Sequence, residues 1–277
     1  MIFLKKIQFI FLLILCQFAF AQKDKEIYID ANGRMFAETK QISQFFSRFN
    51  NNEDLKGVAY NDTNKRNNKQ RELFIAALFN AEKFKPENLT SQKFIQQVCN
   101  KKTPQYLQFL NDEWLAEVKA NFVYYGAEKE MTLFFKIEKS GKGSKWVIRN
   151  IVFDPFLKLY ENEIDTFSNF LHPMSHELSF MNLNKELSKK ENLKPYYPKD
   201  HKTDFLTLMS YELKKGNLKF QSVNDIKFHI FQIKDWYFEI TYYNKSDNNR
   251  GWLISNIFEI SEAEKPKLKT QLTEQTF

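Results

Sequence analysis

One stretch of eight residues is written twice in this chain. Trp146-Val147-Ile148-Arg149-Asn150-Ile151-Val152-Phe153 returns as Trp252-Leu253-Ile254-Ser255-Asn256-Ile257-Phe258-Glu259, with Trp, Ile, Asn and Ile at the same four places. Each copy is a short apolar run entered from a polar turn, the pattern of a strand. A strand cannot bury its apolar face alone. A repeated strand therefore implies a repeat of whatever covers it.

The flanking segments follow the same order in both halves. In the first, Ile42, Phe45, Phe46 and Phe49 recur at helical spacing and predict a helix over Ala37–Asn50. A polar loop, Asn50–Gln70, precedes a helix over Arg71–Phe79 with Leu73, Phe74, Ala77 and Leu78 as its apolar residues. Another helix covers Gln92–Asn100, with Thr90 as its N-cap. Strands are then expected over Gln105–Leu110, Glu117–Tyr125 and Met131–Glu138, the last two forming a hairpin across Gly126–Glu130 before the Trp146 strand. In the second half, Glu161–Leu171 carries Ile164, Phe167 and Leu171, and His176-Glu177-Leu178 with Leu183 echoes Arg71-Glu72-Leu73 with Leu78. Phe205–Asn217 echoes Phe94–Gln105 and stops at Gly216. Strands Ile226–Ile233 and Trp236–Asn244 lead to Trp252. The expectation is an α+β chain of two tandem domains, 22–158 and 159–262, with 263–277 as a loose Lys- and Glu-rich tail.

Residues 1–21 read as a secretory signal peptide: Lys5-Lys6, the apolar run Ile7–Phe18, and Ala19-Phe20-Ala21 before Gln22. The expected mature chain is exported, periplasmic or extracellular, and does not span a membrane once the signal is removed. Loss of Lys5 and Lys6 lowers the formal charge from +7 to +5, with 39 basic against 34 acidic residues. The lysines are interspersed with carboxylates, so the clustered basic stripe of a nucleic-acid partner is missing. Cys16 leaves with the signal, and Cys99, sharing a helical face with Ile95 and Val98, reads as a small buried hydrophobe without an internal disulfide partner.

Helices followed by an antiparallel sheet closing on Trp-x-Ile resemble the cone-shaped fold of the nuclear-transport-factor-two-like superfamily, which includes ketosteroid isomerases, scytalone dehydratases and SnoaL-type polyketide cyclases. The resemblance implies that each half is cone-like, with N-terminal helices packed on a curved antiparallel sheet. It implies a pocket in many members and an internal pseudo-dimer, hence a monomeric chain. The family's enzymes use an Asp or His base with a Tyr or Asp oxyanion donor. No stretch of this chain matches such a motif, so no catalytic residue is assigned.

The candidate binding residues are His229, Tyr196, Tyr197, Trp146 and Trp252. His229 alternates with Phe228 and Ile230, so it faces away from both, into a cone interior or into solvent. Tyr196-Tyr197, between Pro195 and Pro198, form an aromatic turn able to stack on a ligand or fold back on the core. Trp146 and Trp252 read first as plugs of the helix–sheet seam, each sharing a strand face with Asn150 or Asn256 unless a bulge intervenes. His172 and His176 stand four apart, but Pro173 between them starts the helix and leaves His172 outside it, so no metal is assigned. Asp200-His201 lies in a polar loop. No cofactor motif is present. The expected function is a non-enzymatic binding or interaction module of the envelope, for a small hydrophobic ligand, a glycan or an envelope protein. The alternative is an isomerase, dehydratase or cyclase with a pocket in one cone.

Overall fold

The computed structural model describes residues 28–29, 35–36, 39, 41–53, 59–60, 68–141, 143–159, 180, 183–188, 193, 196–245 and 249–273. The signal segment, Glu161–Leu171, His172 and His176 lie outside these residues, as does most of the Asn50–Gln70 loop.

The first three helices lie close to their predicted spans: α1 (Ile42–Phe49), α2 (Asn68–Ala77) and α3 (Leu89–Val98). The cap of α3 is Asn88, not Thr90, and its side chain accepts from the Ser91 N–H at 2.9 Å. Leu73 on α2 stands exposed, whereas Phe74, Ala77 and Leu78 are buried. Gln105–Leu110 is not a strand. The Asn50 side chain takes the place of a partner strand there, accepting from Leu107 N–H at 2.8 Å and donating to Leu107 C=O at 2.7 Å.

Two short strands, β1 (Tyr28–Ile29) and β2 (Met35–Phe36), pair with each other. The six long strands are β3 (Trp114–Tyr124), β4 (Ala127–Ser140), β5 (Gly143–Val152), β6 (Leu218–Ile230), β7 (Trp236–Tyr243) and β8 (Gly251–Glu259). They form one antiparallel sheet in the order β5-β4-β3-β6-β7-β8, rather than one sheet per half. Helices α4 (Asp154–Leu157), α5 (Leu183–Leu187), α6 (Phe205–Lys215) and α7 (Lys265–Thr273) complete the described elements. The tail expected to be loose is helical as far as Thr273. Thr273 is buried, its carbonyl accepts from Asn150 Nδ2, and Lys269 pairs with Glu113.

The echoed strands carry the same irregularity. In β4–β5 the register jumps so that Phe134 faces Asn150 while Phe135 faces Ile148, leaving Arg149 as the extra residue. In β7–β8 it jumps so that Glu239 faces Asn256 while Ile240 faces Ile254, leaving Ser255. A bulge shifts the side-chain alternation by one. Trp146 and Ile148 therefore share a face with Ile151, while Asn150 points to the other side, and Trp252, Ile254 and Asn256 repeat this. The single-face alignment of Trp with Asn is thus broken by a bulge in both copies.

The chain compacts into two units, each discontinuous: residues 1–111 with 230–262, and 112–229 with 263–277. Helices α1–α3 thus compact with β7 and β8, not with the strands that follow them directly in sequence. In the first unit, Phe238 packs on Phe45, Phe49 and Phe94 at 6.5, 6.1 and 5.5 Å, and Trp236 meets Phe94 edge-on at 5.3 Å. The segments flanking the helices are tied to β8 by parallel bridges, Thr39 to Gly251 and Phe79 to Ile254. Gly251 has φ +91°, and a Cβ there would lie 2.5 Å from the Thr39 carbonyl oxygen. In the second unit, Ala120, Phe122, Met131, Leu133 and Ile151 of the sheet bury against Phe153, Phe156, Phe205 and Met209. Phe153 and Phe156, just before the expected boundary after residue 158, are both buried.

Candidate functional site

His229 is not solvent-facing. It is 1 % exposed, and its Nε2 lies 2.9 Å from Glu117 Oε2 on the neighbouring strand β3. That hydrogen bond holds the Glu117 carboxyl below the ordinary carboxylate range, against the opposing effect of burial. The pair is a satisfied cross-strand contact.

Trp146 meets the buried Trp114 edge-on at 5.0 Å, and Trp114 in turn packs on Phe228 at 5.4 Å. Trp252 meets Tyr242 edge-on at 5.3 Å, and its backbone is clasped by Thr39, whose Oγ1 donates to the Trp252 carbonyl at 2.6 Å. Both indoles sit among neighbouring rings. Tyr196 is half-buried, and Tyr197 is exposed with its ring 4.8 Å from His201, itself exposed. The five predicted residues do not converge. Through Trp114, Trp146 reaches Phe228, the sequence neighbour of His229, and the tyrosine turn stands apart in the sequence.

Another buried polar group is architectural. Arg71, matched in the sequence to His176, is 1 % exposed, and its guanidinium donates to the carbonyls of Phe49 and Val98 at 3.0 Å each and to that of Gln105. Phe49 and Val98 close α1 and α3, so a fixed cation lies at the negative ends of two helices. In the same unit the Glu239 carboxylate accepts from Tyr237 OH at 2.8 Å and Asn256 Nδ2 at 2.5 Å, while Lys83 donates to the Asn256 carbonyl.

A different cluster has no such structural account. β3 and β4 join through the two-residue turn Tyr125-Gly126, with φ +47° and +83°. This turn type wants Asn-Gly or Gly-Gly. A tyrosine at positive φ costs about 1–3 kcal/mol, yet Tyr125 is 66 % exposed, so packing does not offset the strain. Tyr124 meets Tyr125 edge-on at 4.7 Å. Tyr125 N–H donates to the Asn217 carbonyl, bringing the end of α6 to the turn. There Asn217 Nδ2 donates both to Tyr125 OH and to Glu212 Oε2, at 2.9 Å each.

Glu212 is only 6 % exposed, and among the described residues its carboxylate makes no ion pair. It stands in the last turn of α6, where the helix dipole disfavours an anion. Tyr211, its neighbour in sequence, is exposed, with Lys215 Nζ 5.6 Å from the ring centre. The phenols of Tyr124 and Tyr125 are raised above the usual tyrosine range, by desolvation first and by the Glu212 carboxylate next. For Tyr125, which stands in water, the carboxylate is the cause that the geometry explains. The cluster thus offers rings, neutral O–H donors and one carboxylate with no cation against it. Its sequence signal was the bulky residue before Gly126 in a tight hairpin, and the carboxylate just ahead of the Lys214-Lys215 helix end.

Among the described residues no three His, Cys, Asp or Glu side chains gather as a metal ligand set. Nor is any helix there long and apolar enough to cross a membrane. Compared with family models, characterised proteins and solved structures, the chain matches none of them.

Proposed function

We propose that the protein is an exported, non-enzymatic binding module of the cell envelope, and that its ligand docks on Tyr124, Tyr125 and Tyr211 around Glu212. The observation that carries this is the Glu212 carboxylate, 6 % exposed and without a cation among the described residues, in a cluster with the exposed rings of Tyr125 and Tyr211. Burying an anion without a partner costs stability, and so does exposing a strained tyrosine. A contribution to ligand binding explains why both are present. Export rests on the Lys5-Lys6 to Ala21 leader, and an N-terminus at Gln22 by mass spectrometry of the exported protein tests it. We read the chain as a duplicated, cone-like fold of the nuclear-transport-factor-two-like kind. The matching bulges at Arg149 and Ser255 support the duplication.

The binding reading is tested by cosedimentation of the mature chain with purified envelope fractions, in parallel with Tyr125→Ala. Wild type should sediment with at least one fraction and the variant should remain in solution. A wild type that stays in solution with every fraction, or a variant that sediments equally, defeats the reading.

The acid–phenol contact of Tyr237 with Glu239 favours a second reading, an isomerase- or dehydratase-type enzyme with Glu239 as base. That reading requires a substrate whose turnover is lost in Glu239→Gln and kept in Tyr125→Ala.

A further inference from the structure

The Glu212 cluster also carries the chemistry of its ligand. We infer that the site recognises an organic ammonium group, held on the faces of Tyr124, Tyr125 and Tyr211 and neutralised by the Glu212 carboxylate. This rests on the binding reading above and specifies it.

A buried carboxylate lacks one thing that a ligand can supply, a positive charge. Asn217 Nδ2 and the Tyr125 hydroxyl hydrogen-bond to Glu212, and neither an amide nor a phenol neutralises it. The surrounding groups are tyrosine rings, whose faces are negative and attract cations. Tyr125 and Tyr211 are both more than half exposed, so their rings are accessible. The ring of Tyr211 already draws an ammonium: Lys215 Nζ stands 5.6 Å from its centre, and among the described residues it makes no ion pair with Glu212. A sulfate, phosphate or carboxylate ligand would meet like charge at Glu212 and at the carbonyl end of α6. A neutral hydrocarbon would leave the carboxylate uncompensated.

The test is isothermal titration of the mature chain with choline and with 3,3-dimethyl-1-butanol, which has the same shape without the charge. Choline should bind, and the alcohol should bind at least about tenfold more weakly. Glu212→Gln, which keeps the acceptor for Asn217, should weaken choline by about tenfold, as should Tyr125→Ala, while Tyr125→Phe should retain most of the affinity. Vesicles of phosphatidylcholine against phosphatidylglycerol then distinguish sources. Cosedimentation with the first alone assigns a lipid head group; choline binding with neither assigns a free amine. Equal binding of choline and the alcohol, no binding of choline, or full affinity in Glu212→Gln overturns the inference. Should Tyr125-dependent cosedimentation with an envelope fraction survive that result, only the ammonium assignment falls.

Discussion

Phe49 and Phe238 lie ring on ring, 6.1 Å apart with their planes 12° from parallel. One belongs to the first long helix of the described chain and the other to the last hairpin of the sheet. The relationship places α1–α3 in a compact unit with β7 and β8. A fragment spanning Gln22–Tyr160 therefore loses the strands that cover Phe45, Phe49 and Phe94. Each such ring is worth about 1.5–3 kcal/mol of burial, and domains have only about 5–15 kcal/mol in all. The fragment should show no cooperative urea transition by circular dichroism, while the mature chain should. A cooperative transition in the fragment would mean that the contiguous half folds by itself.

Arg71 donates to three backbone carbonyls, those of Phe49, Val98 and Gln105. Arg71→Met removes the side-chain donor from all three, and although the Val98 carbonyl keeps the Gln105 N–H at 3.0 Å, about 3 kcal/mol should be lost. Arg71→Lys should recover little, because a single ammonium cannot span the positions reached by a planar fork. Urea midpoints of the two variants measure this. A lysine variant as stable as wild type would show that charge alone suffices.

Cys99 is buried, and burial pushes its thiol up to about 11, with Arg71 pulling it down and Glu72 adding slightly to the rise. At about pH 8 almost none is thiolate. Native protein should be inert to an aromatic disulfide reagent over minutes and should react fully in denaturant. Fast reaction of the native thiol would place Cys99 at the surface.

Glu117 titrates lower in the folded chain than in the unfolded one because His229 bonds its charged form. Its contribution is thus complete above the ordinary carboxylate range and is lost as pH falls through the folded value. Glu117→Gln should cost about 1–2 kcal/mol at about pH 7 and little at about pH 3. A penalty that is constant with pH would mean the pair acts through shape rather than charge.

The strand-and-helix pattern was legible wherever burial follows a simple period: Phe45, Phe46 and Phe49 on α1, the β3–β4 hairpin, and Gly216 ending α6. The bulges were not. Nothing in Arg149 or Ser255 as a residue type announces an extra position, and the reversal of Asn150 and Asn256 followed from it. The assignment of helices to strands was also hidden, because Trp236 and Phe238 are equally good partners for any apolar helix. Tail residues such as Thr273 and Lys265 look soluble in sequence, yet both are buried. Of the candidate residues, His229 was read as facing a cone interior or solvent, and its partner Glu117 was not legible because it lies 112 residues away in sequence on the neighbouring strand. The Tyr125–Glu212 cluster was missed because its members come from a turn and a helix end almost ninety residues apart in sequence.

The direct test of the central claim is the stability of Glu212→Gln without ligand. If Glu212 is retained for a ligand, the fold bears an unpaired buried anion at a helix C-terminus. Glutamine preserves the acceptor for Asn217 while removing the charge. The urea midpoint at neutral pH should then rise, by the equivalent of about 0.5–2 kcal/mol, as ligand affinity falls. A midpoint that drops by a similar amount would make Glu212 a structural residue and contradict the account.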